Sequence, residues 1–234
     1  MIFYSILFAL DKSKQEYARC FWLLLTSLVR SGSLKEGDRY YLIADDASWA
    51  AASKLPLVTQ KVCRIPTPTP ADCFDGMKLK YLLPRSLLSQ EDVVVYLDVD
   101  LLAVRPFRPE LPPDTLVAAP EGNPQDANYK GDFHITLPVG ASAGIFVFRP
   151  GPVVYAVFDA ILAEMARDRR PFYTLDQPYY NKHINGIAKY MRAELISYNG
   201  HTNRDKCAFL NLCGEPGDGD FHFSKMLQCF LQLF

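Results

Sequence analysis

Two aspartates separated by one residue follow directly after a strongly apolar segment. Residues Val93 to Leu97 are β-branched, aromatic or aliphatic, which predicts a buried strand, and Asp98 and Asp100 stand at its end. In open α/β sheets, ligands bind at the carboxyl ends of the strands. Two carboxylates at that edge would provide hard oxygen ligands for a divalent cation that accompanies a phosphorylated substrate. The alternative is a strand that ends in two solvated acids.

Strands and helices are expected to alternate in the part of the chain before this motif. The predicted elements are a strand within residues 1–10, a helix that opens on a capping box at Ser13 and ends at Ser31-Gly32, a strand over 39–44, a short helix over 47–54, a strand over 58–65 and a helix over 76–88 that Pro84 interrupts. This order is typical of a parallel, Rossmann-like sheet in an α/β fold. No G-x-G-x-x-G follows the first strand, which argues against a nicotinamide or flavin dinucleotide.

The part of the chain after the motif contains a long polar segment and fewer clear elements. Residues 121–141 are long enough to form a flexible lid or an acceptor-binding loop. The other predictions are a strand over 145–148, helices over 153–167 and 174–184, a loop over 214–220, an extended Phe221-His222-Phe223 and a short C-terminal helix.

The composition is that of an ordinary globular chain, with 234 residues and a net charge of −1. This charge balance gives no indication of a nucleic-acid partner or an anionic membrane. The apolar start lacks a basic n-region and a cleavage site, and no apolar run is long enough to span a bilayer. We therefore expect a soluble, cytoplasmic chain, or a soluble catalytic piece of a longer one.

The six cysteines include no C-x-x-C pair. Cys20, Cys63 and Cys229 lie in apolar runs, which favours reduced thiols in the core. A disulfide between Cys207 and Cys213, formed in an oxidising compartment, is the alternative.

Four sequence blocks, taken in order, resemble glycosyltransferase family 8, the family of glycogenin and of bacterial lipopolysaccharide galactosyltransferases. The resemblance runs from Tyr17 to His222 and therefore covers nearly the whole chain. The blocks are Tyr17-Ala18-Arg19 with Thr26-Ser27-Leu28, Lys80-Tyr81-Leu82-Leu83-Pro84 with Tyr96-Leu97-Asp98-Val99-Asp100, Ser142 to Val147, and Asp176-Gln177 with Asn181.

The resemblance implies a single GT-A domain, with a mixed, mostly parallel sheet flanked by helices. Its nucleotide-binding half would comprise about residues 1–104, and its donor-sugar and acceptor half about residues 105–234. The implied reaction is the Mn²⁺-dependent transfer of a hexose, with retention at the anomeric carbon, from a nucleotide sugar that is usually a UDP-sugar. The acceptor would be a hydroxyl group of a glycan, a protein or a small molecule.

The resemblance also implies a set of metal ligands. Asp98 and Asp100 would bind the cation, and His222 would be the third protein ligand. Two carboxylates and one imidazole suit Mn²⁺ better than Mg²⁺, although Mg²⁺ is a possible substitute. In an extended Phe221-His222-Phe223, the period of two would place His222 opposite both phenylalanines. A hydrogen-bonded surface histidine is the alternative, and it is the interpretation adopted for His134, His183 and His201.

The donor-binding residues follow from the same blocks. Tyr17 would stack on the base, Asp98 would also contact the ribose, and Asp176 and Gln177 would lie beside the donor sugar. Gln177 would support the developing oxocarbenium ion or bond to it transiently. The residues implied in binding the nucleotide sugar are Asp11, Tyr17, Lys80, Asp98, Ser142, Gly144 and Lys225. The alternatives are a core role for Tyr17, a solvated lysine at Lys80 and a helix cap formed by Asp176 and Gln177.

Two departures from the family pattern affect the predicted site. The family has a glycine and then a lysine after the histidine, whereas this chain has Phe223-Ser224-Lys225, so Lys225 is the candidate for gripping the diphosphate. Ser142 stands where the family commonly has an asparagine. A binding or regulatory module of the same fold is therefore an alternative to an enzyme. A sugar-1-phosphate nucleotidyltransferase is another, but residues 10–17 lack the glycine-rich basic loop that it requires.

Overall fold

The computed structural model describes residues 1–8, 10, 14–198, 206–212 and 219–234, and only the backbone of residues 14, 15, 194, 198 and 219–222. The strands, in chain order, are β1 (Ile2–Leu7), β2 (Arg39–Ala44), β3 (Val62–Pro66), β4 (Val94–Leu97), β5 (Leu101–Ala103), β6 (Thr115–Gly122), β7 (Gly140–Arg149), β8 (Lys189–Tyr190), β9 (Ile196–Tyr198) and β10 (Phe209–Asn211). The α-helices are α1 (Lys14–Arg30), α2 (Asp46–Ala52), α3 (Val58–Lys61), α4 (Cys73–Met77), α5 (Ala127–Lys130), α6 (Pro152–Arg167), α7 (Gln177–Ile184) and α8 (Gly219–Leu233).

The strands of the described residues form a large mixed sheet and a small one. The large sheet has seven strands in the order β3-β2-β1-β4-β7-β6-β8, and the small one has the order β5-β10-β9. Strands β1, β2 and β3 pair in parallel, whereas β6 runs antiparallel to β7 and parallel to β8. The predicted α/β class, with a mixed, mostly parallel sheet and flanking helices, is confirmed.

The chain divides into two compact units, each discontinuous in sequence. The first unit comprises residues 1–71, 97–109 and 194–234, and the second comprises residues 72–96 and 110–193. No helix in the described parts of either unit combines the length and the apolar character needed to cross a membrane.

Helix α1 supplies much of the core of the first unit. Of the five positions that recur at helical spacing, Cys20, Phe21, Leu24 and Leu28 are fully buried as the pattern predicts, whereas Tyr17 is half-buried. The helix gives way to Gly32, whose φ of +75° lies in the left-handed region that glycine adopts most readily. An apolar cluster joins α1 to β5, β10 and α8, and its buried members are Cys20, Leu23, Leu102, Cys207, Leu210, Leu212, Met226 and Phe230.

The second unit is built around stacked aromatic rings. Tyr96 of β4 lies against Phe146 of β7, with ring centroids 4.8 Å apart, and Tyr81 and Tyr180 stack on the same ring at 6.1 Å and 5.5 Å. All four side chains are buried. Such pairs add to the free energy of apolar burial and fix the relative positions of the elements that carry them.

Several element predictions are wrong in ways that local chemistry explains. Val58–Lys61 is a short helix, because Leu57 takes a left-handed φ of +68° and redirects the chain before β3 begins at Val62. The helix predicted over 76–88 is instead α4 followed by short 3₁₀ turns on either side of Pro84, which has no N–H to continue a helix.

Two side-chain and backbone predictions also fail in the first unit. Cys63 is exposed on β3 and is not a core thiol. Phe221 to Phe223 is helical, within α8, so the period-of-two argument for His222 does not hold. The proposed Cys207–Cys213 bridge is untested, because Cys213 lies outside the described residues.

Helices α6 and α7 of the second unit are joined by a carboxylate with only 5% of its side chain exposed. Glu164 of α6 accepts a hydrogen bond from Lys182 of α7 and bonds to Nε2 of His183 at 2.5 Å, and Arg167 is the further cation that faces it. Burial alone would raise the pKa of Glu164, but the hydrogen bonds from Lys182 and His183 lower it below its ordinary value.

We expect Glu164→Gln to lower the free energy of unfolding by about 1–3 kcal/mol at neutral pH, because it removes hydrogen bonds to a charged group. A lowered pKa in the folded state stabilises the fold above the ordinary glutamate pKa of about 4.3, and this contribution is lost as the pH falls through the lowered value. The difference in Tm between wild type and variant should therefore shrink on acidification. An equal difference at every pH would contradict a role for the carboxylate charge.

Candidate functional site

The two aspartates of the motif lie in a tight connection between β4 and β5. Strand β4 is fully buried and ends at Leu97, and a turn containing Asp98 and Asp100 leads into β5. Val99, between the two acids, packs against the apolar cluster of the first unit, whereas both aspartates are only half-buried. The central residue of the motif thus anchors the turn in the core.

Hydrogen bonds fix this turn at both ends. The Ser5 hydroxyl donates to the carbonyl oxygen of Leu97 at 2.6 Å and also bonds to the Tyr40 hydroxyl. The backbone N–H of Leu212 donates to the carbonyl oxygen of Asp100 at 3.2 Å. These bonds satisfy buried polar groups and hold the backbone of the motif in one conformation.

The motif fits a divalent cation in the type of its donors, because both of its charged side chains are carboxylates. Asp98 and Asp100 offer carboxylate oxygens from a rigid turn, and oxygens of a diphosphate and of water could complete the coordination. Among the side chains that the structure describes, no three metal-ligating groups cluster together. The side chain of His222, the predicted third ligand, lies outside the described set, although its backbone belongs to the first turn of α8.

The first turns of α1 lie close to Asp100. Burial, together with the nearby charges of Asp100 and Glu16, raises the pKa of the Cys20 thiol to about 12. Tyr17, one turn before Cys20, is half-buried and does not belong to the core. The structure therefore brings Tyr17 and the motif to the same region of the first unit. Asp11 lies outside the described residues, and Lys225 is half-buried on α8.

Strand β7 of the second unit contains an irregularity at the block Ser142-Ala143-Gly144. Its register with β6 passes from Phe146, opposite Ala118, directly to Ser142, opposite Ala119. Residues 143–145 thus form a bulge, a feature that redirects strands near active sites. Side chains satisfy its peptide groups: the Ala143 N–H donates to Oε1 of Gln177 at 3.0 Å, and the Gly144 N–H donates to the Ser142 hydroxyl at 3.3 Å.

Asp176 occupies the N-cap position of α7, but its side chain makes no capping hydrogen bond there. Its carboxylate accepts hydrogen bonds from Nζ of Lys80 at 3.3 Å and from the Tyr81 hydroxyl at 2.7 Å. Lys80 also donates to the carbonyl oxygen of Ala143, so the bulge and the ion pair share one ammonium group. Only 3% of each charged side chain is exposed, which rules out a solvated lysine at position 80. A buried pair of this kind fixes geometry, because losing one partner leaves the other charge uncompensated.

Gln177 is half-buried at the first position of α7, and both ends of its amide are engaged. Oε1 accepts from the Ala143 N–H, and Nε2 donates to the carbonyl oxygen of Asn128 at 3.1 Å. One turn later, Asn181 forms two 2.8 Å hydrogen bonds with the backbone of Ala141. Helix α7 is therefore fastened to β7 by two amide side chains four residues apart.

Three residues of this arrangement received no role in the sequence analysis. Tyr81, Thr174 and Asn181 belong to or adjoin the recognised blocks, but each has a hydrogen-bond partner between 40 and 95 residues away. A local pattern carries no signal for such pairings. His134 is exposed, His183 binds Glu164, and His201 lies outside the described residues.

Two solved structures of the galactosyltransferase LgtC are similar to this chain over its whole length. LgtC in complex with donor and acceptor sugar analogues has 15% sequence identity and a TM-score of 0.66, with 100% of this chain and 96% of LgtC covered. An active-site variant of LgtC, in which a glutamine is replaced by glutamate, has 14% identity and a TM-score of 0.65, with 98% and 96% covered. Neither a protein-family model nor a curated protein matches the sequence. The similarity establishes the fold, and the predicted GT-A architecture is confirmed.

Proposed function

We propose that the chain is a metal-dependent, retaining glycosyltransferase that moves a hexose from a nucleoside diphosphate sugar, expected to be a UDP-sugar, to a hydroxyl acceptor. The observation that carries the proposal is the braced turn at Asp98 and Asp100, at the end of a buried strand in a GT-A fold. LgtC, a galactosyltransferase with this fold, was solved in complex with donor and acceptor sugar analogues. That relationship supports a sugar-transfer reaction.

Asp98 and Asp100 would hold the cation, with His222 as the expected third ligand. A bound Mn²⁺ ion would offset the negative charge that develops on the departing diphosphate. The contribution of the chain is to keep the two carboxylates in place, and the hydrogen bonds at Leu97 and Asp100 support this role. Because this backbone is fixed before any ligand arrives, binding would require little reorganisation.

In this proposal, Gln177 and Asp176 act on the donor sugar. In a retaining transfer the acceptor attacks the face that the diphosphate leaves, so a polar group is needed on the opposite face. A carbonyl oxygen has two lone pairs, and the Ala143 N–H occupies one of those on Oε1 of Gln177. The hydrogen bonds of the amide also fix the direction of the second lone pair, which could support positive charge on the sugar ring. Asp176, held by Lys80 and Tyr81, would set the position of the sugar next to it.

A panel of nucleotide sugars tests the proposal. Each donor is incubated with the full chain in Mn²⁺ or in EDTA, with and without simple glycoside acceptors, and release of the nucleoside diphosphate is measured. We expect release from one class of donor in Mn²⁺ and none in EDTA. Failure of every donor to react, together with no measurable binding of UDP, would instead favour a module that kept the fold and lost the site.

Tyr17→Ala should weaken UDP binding by about 1–3 kcal/mol, by analogy with the loss of one aromatic ring stacked on a base. Tyr17 is half-buried and lies outside the buried core of the first unit, which supports a role other than packing. Calorimetric titration of UDP measures the effect, and Tyr17→Phe, which keeps the ring, is the matched control. Unchanged affinity with a sharply lower Tm would show that Tyr17 serves the core.

A further inference from the structure

The carbonyl oxygen of Asn128 accepts two hydrogen bonds from the start of α7. The Thr174 hydroxyl donates to it at 2.7 Å, and Nε2 of Gln177 donates at 3.1 Å. Asn128 belongs to α5, within the polar segment 121–141. One backbone atom of this segment therefore joins the hydroxyl of Thr174 to the amide of Gln177.

These contacts determine which way the amide of Gln177 points. With Oε1 toward the Ala143 N–H and Nε2 toward the Asn128 carbonyl, each end faces a complementary partner. If the amide were flipped, its N–H₂ group would face the N–H of Ala143, and its oxygen would face the carbonyl oxygen of Asn128. Amide orientation follows from the hydrogen-bond network, and this network permits one orientation only.

The backbone around Asn128 is held by close packing. A Cβ atom on Gly122 or on Gly140 would come within 2.6 Å of the Tyr129 side chain, so both glycines are needed to seat α5. On the other side of the contact, Leu175 takes a φ of +51°, an unusual conformation for a non-glycine residue. Strain of this kind is found where the surrounding structure imposes a functional geometry. Here it lies between Thr174 and Gln177.

We propose that Thr174 is a positioning residue that acts through the Asn128 carbonyl to keep the oxygen of Gln177 facing the bulge of β7. The inference rests on the proposed function, in which that oxygen supports positive charge on the donor sugar. Loss of the Thr174 hydroxyl removes one of the two hydrogen bonds to the Asn128 carbonyl, so this carbonyl is held less closely in line with Nε2 and the amide of Gln177 rotates more freely. The amide would then present N–H groups to a developing cation for part of the time, which slows the chemical step and leaves donor binding intact.

Thr174→Val tests the proposal, because valine keeps the shape of threonine and removes only the hydroxyl. We expect kcat to fall roughly three- to tenfold, the effect of one neutral hydrogen bond, with the donor KM changed by less than about twofold. Thr174→Ser should restore most of kcat. Thr115→Val is the matched control, because the Thr115 hydroxyl also donates to a backbone carbonyl in the second unit, that of Pro113. This control should leave kcat unchanged.

A second measurement reports the orientation of Gln177 without any turnover. The side-chain amide signals of Gln177 in a ¹⁵N spectrum are assigned by their loss in Gln177→Ala. We expect Thr174→Val to shift these signals and to speed their hydrogen exchange, whereas Thr174→Ser and Thr115→Val leave them in place. A normal kcat in Thr174→Val, or unchanged Gln177 signals, would overturn the positioning role. A wild-type chain that transfers no sugar would refute the proposed function, and the amide signals would still decide the role of Thr174.

Discussion

Asp100→Asn should keep the fold and lose Mn²⁺-dependent transfer by at least about a hundredfold. The substitution removes one negative charge from a pair of carboxylates and preserves the shape of the side chain. Lewis-acid stabilisation is worth several kcal/mol, and each 1.4 kcal/mol corresponds to a tenfold change in rate. The bond from the Leu212 N–H goes to the backbone carbonyl of Asp100, so the turn should survive the change. Transfer rates and Mn²⁺ binding, followed by the electron paramagnetic resonance of the free ion, measure the two effects separately.

Asp46→Asn is the matched control in the same unit. Its side chain is 95% exposed and pairs with Arg64, so it removes a carboxylate without touching the motif. We expect normal activity and normal Mn²⁺ binding in this variant. Asp100→Asn with full activity, or a wild-type chain equally active in EDTA, would rule out a metal role for the motif.

The sequence predicts best those elements whose pattern is long and whose partners are local. Helix α1 shows five apolar positions at helical spacing, of which the last four are buried and the first, Tyr17, is half-buried. Strand β2 was predicted with its observed bounds, because a short apolar run between polar residues has few alternatives. The buried strand before Asp98 was predicted for the same reason. The position of Asp98 and Asp100 just after the end of that strand followed from it.

The sequence predicts poorly where distant residues decide the conformation. Asp176 precedes a helix and has the side chain of a typical N-cap, but Lys80 and Tyr81 take up its carboxylate instead. Strand β6 was missed, and β7 was predicted too short. The segment Gly140 to Gly144 is rich in glycine and alanine, which have weak strand propensity, and only pairing with β6 makes it extended.

Short patterns also mislead when they fit two periods. Three residues, Phe221 to Phe223, cannot distinguish an alternating strand from one turn of a helix, and they lie in α8. Met226 and Phe230 of that helix, four residues apart, are both buried in the apolar cluster. The helical period over the longer segment was the better guide. The role of His222 as a metal ligand stays a prediction, and the residue that would provide this ligand lies in a helix and not in a strand.

Gln177→Ala should lower kcat by roughly a hundredfold or more while changing donor affinity little, and the product should keep the anomeric configuration of the donor. The size of the effect is that of removing one preorganised polar group from a site where charge develops. A residue that only fastened α7 to β7 would behave differently, because Asn181 would still hold the helix through its two bonds to Ala141. Rates with a defined donor and an NMR assay of the product anomer provide the measurement.

Gln177→Glu separates the two halves of the amide. A carboxylate can still accept from the Ala143 N–H, but it cannot donate to the Asn128 carbonyl, which it would repel. The variant thus keeps an oxygen beside the sugar but loses the hydrogen bond to the Asn128 carbonyl, so kcat should lie between those of wild type and Gln177→Ala. Inversion of the anomer, or near-normal kcat in Gln177→Ala, would show that the glutamine is structural and that the sugar is stabilised elsewhere.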